Sequence, residues 1–144
     1  MEERKIAKSQ KEFEEEFDEP APAMNDASRR VIGAAIEVHR IIGPGFPEII
    51  YERALAIELQ QRNIPFDRQP TVTVTYKGFV VGEGRLDFLV EGIVLELKSV
   101  YMLLPVHRAQ LHASLKASGH RLGLLFNFDA SILQIRRVIE SQNP

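Results

Sequence analysis

The stretch Gly84-Arg85-Leu86-Asp87-Phe88-Leu89-Val90-Glu91-Gly92-Ile93-Val94-Leu95-Glu96-Leu97-Lys98-Ser99 decides how the rest of the chain reads. Two apolar runs, Leu86 to Val90 and Ile93 to Leu97, flank Glu91-Gly92, which has the length and residue type of a two-residue β-hairpin loop. With that loop, Val90 faces Ile93, Asp87 lies opposite Glu96, and Arg85 lies opposite Lys98. Side chains alternate between the faces of a strand, so Asp87, Glu96 and Lys98 project to one side while Phe88, Leu95 and Leu97 project to the other.

Two carboxylates directly opposite each other repel. A divalent cation shared by Asp87 and Glu96 relieves that repulsion, with Lys98 beside it as a compact charge able to hold a phosphate or an attacking water. A ladder of ion pairs, Lys98 and Arg85 with Glu96 and Asp87 on a solvated sheet face, also satisfies the charges. Spacing alone leaves both readings open.

Outward from the hairpin, Thr71-Val72-Thr73-Val74-Thr75-Tyr76 is strongly β-forming, Lys77-Gly78 is a turn signal, and Phe79-Val80-Val81 begins a returning strand. Three antiparallel strands in succession are expected. Upstream, Ser28 or Asp26 can cap a helix whose apolar positions Val31, Ile32, Ala35, Ile36, Val38, His39 and Ile42 recur until Gly43-Pro44-Gly45. A second helix starts near Pro47 and Glu48, with Ile49, Ile50, Ala54, Ile57 and Leu59 as its expected buried stripe and a stop at Asn63-Ile64-Pro65. Downstream, Pro105 opens a third helix that ends at Ser118-Gly119. Arg121 to Phe128 reads as a strand covered on both faces. Ile132 to Ile139 fits a helix or a last strand. The fold class is α/β with α+β character: two helices, three antiparallel strands, a helix, and one or two further strands in a mixed sheet.

The length of 144 residues fits one domain with a tail, and 44% hydrophobic with 26% charged residues is a globular composition. There is no cysteine, which excludes a disulfide framework, a thiolate metal site and a thiol nucleophile. A cytoplasmic location is expected; no run long enough to cross a membrane and no signal-peptide pattern is present. Residues 1–26 carry nine acids against four bases, which leaves a net +3 on the rest of a chain of net charge −2. That segment, with Glu14-Glu15-Glu16-Phe17-Asp18-Glu19-Pro20-Ala21, reads as an acidic disordered tail, with a short helix between Ile6 and Phe17 as an alternative, ahead of a domain at 27–144. It serves solubility, or it competes with nucleic acid for a basic site or recruits a partner.

Gly45, Glu48 and Tyr51, followed by Asp87 and by Glu96-Leu97-Lys98, carry a resemblance. From about Val31 onward the chain resembles the GxxExxY family, and that family resembles the PD-(D/E)XK nuclease superfamily with its restriction-endonuclease-like core. The resemblance implies a metal-dependent nuclease acting on DNA or RNA. Asp87 and Glu96, with the backbone carbonyl of Leu97, would bind Mg²⁺ or Mn²⁺, and Glu48 would complete the site, with Glu37 as second candidate. Lys98 would position water or stabilise charge developing on phosphorus. Related nucleases place a glutamine and, four residues on, a tyrosine beside the metal. Gln110 matches the glutamine, and Ser114 departs from the tyrosine.

Other features have plainer readings. His107, Gln110 and Ser114 share a helix face, but no histidine pair has ligand spacing and zinc is not expected. Tyr51 and Tyr76 either stack on bases or bind a phosphate, or fill space against the sheet. Gly43-Pro44-Gly45 lacks the lysine and length of a P-loop, so a tight turn accounts for it better than a phosphate cradle. The scattered arginines would have to cluster to hold nucleic acid on a body of only +3, and a homodimer placing two sites on two strands is one way to enlarge the contact. A non-catalytic nucleic-acid- or protein-binding module on the same fold is the alternative function class.

Overall fold

A computed structural model describes residues 22–141, so the expected tail, up to residue 21, and the short helix between Ile6 and Phe17 lie outside the described residues. The described chain runs α1 (Pro22–Ile42), α2 (Glu48–Gln61), β1 (Asp67–Arg68), β2 (Thr71–Tyr76), β3 (Phe79–Arg85), β4 (Phe88–Val90), β5 (Ile93–Lys98), α3 (Pro105–Ser118), β6 (Leu122–Asn127) and β7 (Gln134–Ile139). Helix α1 therefore begins four residues ahead of the expected Asp26 cap, and the ambiguous C-terminal segment is a strand.

Five strands form a mixed sheet in the order β1-β4-β5-β6-β7, in which β5 and β6 are parallel and the other neighbours antiparallel. The parallel pair requires a crossover, and α3 supplies it. Strands β2 and β3 stand apart as a two-stranded ribbon. The expected succession of three antiparallel strands is thus divided into two antiparallel pairs, β2-β3 and β4-β5. Arg85 pairs with Thr71 on the ribbon and does not lie opposite Lys98. The hairpin itself has the expected register, with Phe88 on Leu95 and Val90 on Ile93. Its loop needs two left-handed residues, and Glu91 and Gly92 adopt φ of 50° and 83°.

Alternation along β5 divides the core in two. Ile93, Leu95 and Leu97 face α1 and α2 in a cluster with Val31, Tyr51, Leu55, Leu59, Phe88, Phe126 and Phe128. Val94 faces α3 in a smaller cluster with Leu86, Leu111, Leu115, Leu125 and Val138. Strand β6 is buried along its whole length, as its continuous apolar run requires. Helix α3 lies directly on it at Gly123, where a Cβ would meet Leu111 Cδ1 at 2.8 Å.

The helical stripes differ from expectation in detail. On α2 the buried positions are Tyr51, Glu52, Leu55 and Leu59, whereas Ile49 and Ile57 are exposed. Helix α1 buries Ala27, Val31, Ala34, Ala35 and Val38 and leaves Ile36 exposed. Both helices carry apolar residues on more than one face, so apolar character alone does not mark the inner side.

Candidate active site

The hairpin carries its acids to the point where the sheet meets α2. One residue before the β4 ladder begins, the Asp87 carboxylate turns back across the strand pair, and its Oδ2 accepts a hydrogen bond from the N–H of Leu97 at 2.7 Å. The backbone of Asp87 is fixed as well, because its carbonyl accepts from the N–H of Gln69 at 2.9 Å. Glu96 follows on β5, half-buried, and its Oε2 is buried without a hydrogen-bond partner among the described residues. Lys98 ends the strand, and its carbonyl accepts from the N–H of Phe128 at 2.9 Å. Next to it Asn127, fully buried, clamps Val100 through Oδ1 to the Val100 N–H at 3.0 Å and through Nδ2 to the Val100 carbonyl at 2.9 Å.

Glu48 enters from the first turn of α2. Its position is set by Tyr51, whose ring stacks on Phe128 with centroids 4.6 Å apart. The Tyr51 hydroxyl donates to the carbonyl of Gly43 at 2.6 Å and accepts from the N–H of Phe46 at 3.2 Å. The tyrosine is therefore a core residue that ties down the loop leading into Glu48; its full burial excludes stacking on a base. The same loop is closed by Asp129, whose Oδ1 accepts from the N–H of Gly45 at 3.1 Å, and by Ser99, whose Oγ donates to the carbonyl of Phe46 at 2.6 Å. The Gly45 amide is already taken by the Asp129 carboxylate, which also repels a phosphate, so Gly43-Pro44-Gly45 is better read as a tight turn.

The acids feel one another. Burial pushes the Glu96 carboxyl up to about 7, with Asp87 and Glu48 adding to the effect and Lys98 opposing it. Asp87 is raised by burial and by Glu52, against the lowering effects of the Leu97 N–H and Lys98. Glu48 is raised by burial, by Asp87 and by Glu52, with Lys98 again opposing. Burial, with repulsion among the acids, thus disfavours full ionisation of the cluster. The unpartnered Glu96 oxygen and the all-oxygen donor set fit a hard divalent cation. Among the described residues no three histidine or acidic side chains stand close enough together to hold an ion as a ready-made cage.

Glu52, on the Glu48 face of α2, is a member of this environment to which the sequence assigned no role. Buried on α2, it accepts at Oε1 from Arg68 Nε at 3.1 Å and from Gln69 Nε2 at 2.7 Å, and so pins the segment whose amide holds the Asp87 backbone. The available signal was its place one turn after Glu48 on the same helical face.

Other expected residues lie elsewhere. Glu37 is in an ion pair with Arg40 at 2.6 Å on α1, and that pairing lowers its pKa, so it is a surface charge and not a second candidate for the site. Gln110 is exposed on α3, and among the described residues no hydrogen bond joins it to the acids. His107 Nδ1 accepts from the N–H of Leu104, His39 pairs with the carbonyl of Ala130, and His112 pairs with Glu140. Each of these three has a local structural partner.

No curated protein matches this chain. Among solved structures it is similar to the crystal structure of SSO0001, at 20% identity and a TM-score of 0.52, over 65% of this chain and 50% of that one. The chain thus spans half the length of that protein, and the likeness speaks for the fold. No helix of the described residues is long and apolar enough to cross a membrane. A family model for the PD-(D/E)XK nuclease superfamily matches residues 25–138, which include the acidic hairpin, the lysine after it and the helix that brings Glu48. The chain therefore belongs to the PD-(D/E)XK nuclease superfamily.

Proposed function

We propose that this protein is a metal-dependent nuclease, of the GxxExxY kind, that hydrolyses phosphodiester bonds in DNA or RNA. The observation that carries the reading is the buried Glu96 Oε2, which has no hydrogen-bond partner among the described residues, on a carboxylate that feels Asp87 and Lys98. A buried carboxylate oxygen with no donor is costly, and two half-buried acids side by side are stabilised when a cation joins them.

In this reading Asp87 and Glu96 hold Mg²⁺ or Mn²⁺, assisted by Glu48 and the Leu97 carbonyl. Such an ion, when bound, polarises a phosphoryl oxygen and acidifies water. Asp87 keeps Oδ2 on the Leu97 N–H, which orients its carboxylate toward the strand that carries Glu96 and Lys98. Lys98, anchored at the end of β5, presents an ammonium donor to the attacking water or to a non-bridging oxygen as charge builds there. Glu52 and Tyr51 position without touching substrate. Gln110 is the weakest member of the proposed set, since it would have to reach the substrate from the exposed side of α3.

The alternative, a binding module that kept the fold, draws on two observations. No ready-made cage exists among the described residues, and Ser114 stands where an aromatic partner of Gln110 would be. Purified full-length chain incubated with single-stranded and duplex DNA and RNA in Mg²⁺ or Mn²⁺ separates the two. Cleavage that falls by about 100-fold or more in Lys98→Ala and in Asp87→Asn is expected for the enzyme. Equal rates in all three proteins contradict it.

A further inference from the structure

The loop after Lys98 has an unusual combination of a fixed base and a bare tip. Ser99 is bonded to the carbonyl of Phe46, Val100 is held at both N–H and carbonyl by Asn127, and the far end is tied by the Leu104 N–H to His107. Between these anchors Tyr101 is 92% exposed and Met102 57% exposed. Across the Ser99 bond, two residues before Glu48, Phe46 is 47% exposed. The segment that follows Lys98 and the segment that leads into Glu48 thus each carry large exposed apolar side chains, on backbone that these bonds hold in place.

Charge argues for what these side chains meet. Duplex binding draws chiefly on phosphate contacts from lysine and arginine. Here Arg30, Arg40, Arg62 and Arg68 are each held by a carboxylate, and the acids of the site oppose phosphate further. With those four arginines neutralised by carboxylates, the exposed aromatic and thioether side chains on the two loops gain affinity by stacking, which needs bases that are not paired in a helix.

We propose that Tyr101, Met102 and Phe46 form a base-stacking rim that makes single-stranded nucleic acid the substrate of this site in preference to continuous duplex. The proposal rests on the nuclease reading for the position of the scissile phosphate. Tyr101, at the tip of the loop that leaves Lys98, stacks on an unpaired base flanking that phosphate. Stacking is blind to the sugar, so DNA and RNA strands are held alike.

The test is fluorescence anisotropy of the full-length chain with labelled oligothymidine, oligouridine and a duplex, in Ca²⁺ so that binding is read without cleavage. Both single strands are expected to bind at least about tenfold more tightly than duplex, and Tyr101→Ala is expected to remove about tenfold of that affinity while leaving duplex binding unchanged. Tyr101→Phe, which keeps the ring, restores it. Equal affinity for single strand and duplex overturns the proposal, as does single-strand binding that Tyr101→Ala leaves intact. A chain that dissociates from dimer to monomer on Tyr101→Ala, with nucleic-acid affinity unchanged, assigns the rim to self-association and also overturns it. Cleavage of duplex at an undiminished rate, together with no single-strand preference, sinks the rim and leaves the nuclease reading standing; absence of cleavage on every substrate sinks the nuclease reading itself.

Discussion

Asp87 and Leu97 are joined across the hairpin by a hydrogen bond from the Leu97 N–H to the Asp87 carboxylate, 2.7 Å long, so an acid of the site is aimed by the backbone of the strand that carries the others. Two substitutions separate its structural and chemical parts. Asp87→Asn keeps an acceptor oxygen for the amide, and its denaturation midpoint is expected to stay near that of the native chain while cleavage is lost. Asp87→Ala leaves the amide of a buried strand unpaired and is expected to cost about 1–3 kcal/mol in urea unfolding. Equal stability of the two variants would show that the bond does not hold the fold.

Glu96 makes the metal-free protein pH-sensitive in a defined direction. Its carboxyl ionises at about 7 in the folded chain, against an ordinary value of 4.5, chiefly because it is buried. As pH rises from 4.5 to 7 the unfolded chain releases this proton and the folded chain retains it. The stabilisation is complete below the unfolded value and is lost as pH climbs through the folded one. Asp87 and Glu48 are shifted the same way. In EDTA, stability is expected to fall by on the order of 2 kcal/mol between pH 5 and pH 7.5, and Glu96→Gln is expected to flatten the profile. Stability rising over that window would contradict this environment for Glu96.

Tyr51 tests whether the loop before Glu48 is held by a hydroxyl. Tyr51→Phe preserves the stack on Phe128 and removes the bonds to Gly43 and Phe46. A loss of about 1–2 kcal/mol is expected, read as a fall in Tm of a few degrees. Ile57→Ser, on the exposed side of the same helix, is expected to stay within about 0.5 kcal/mol of native. A Tyr51→Phe variant as stable as Ile57→Ser would remove the hydroxyl from the account.

The acidic hairpin was legible because a two-residue loop leaves little freedom: once Glu91 and Gly92 turn in the left-handed region, the register of Phe88 on Leu95 follows. The helix that Glu48 opens was legible after Gly43-Pro44-Gly45, whereas only the family resemblance named Glu48 for the site. The break at Leu86 was hidden. Leu86 and Phe88 read as one apolar run, yet they fill the clusters on opposite faces of the sheet, and between ribbon and hairpin the Leu86 N–H bonds the carbonyl of Pro70. That is why Arg85 was placed opposite Lys98 although it belongs to the ribbon. Glu52 was hidden for another reason: its partners Arg68 and Gln69 lie in and just after a two-residue strand too short to show any periodicity.

Titration of Mn²⁺ into the metal-free chain by calorimetry, above the pH at which Glu96 ionises, measures the central claim most directly. Saturable binding to the native protein, abolished in both Asp87→Asn and Glu96→Gln, is the predicted result. Binding heats identical in all three proteins, or no heat in the native chain, would contradict a metal centre on this hairpin.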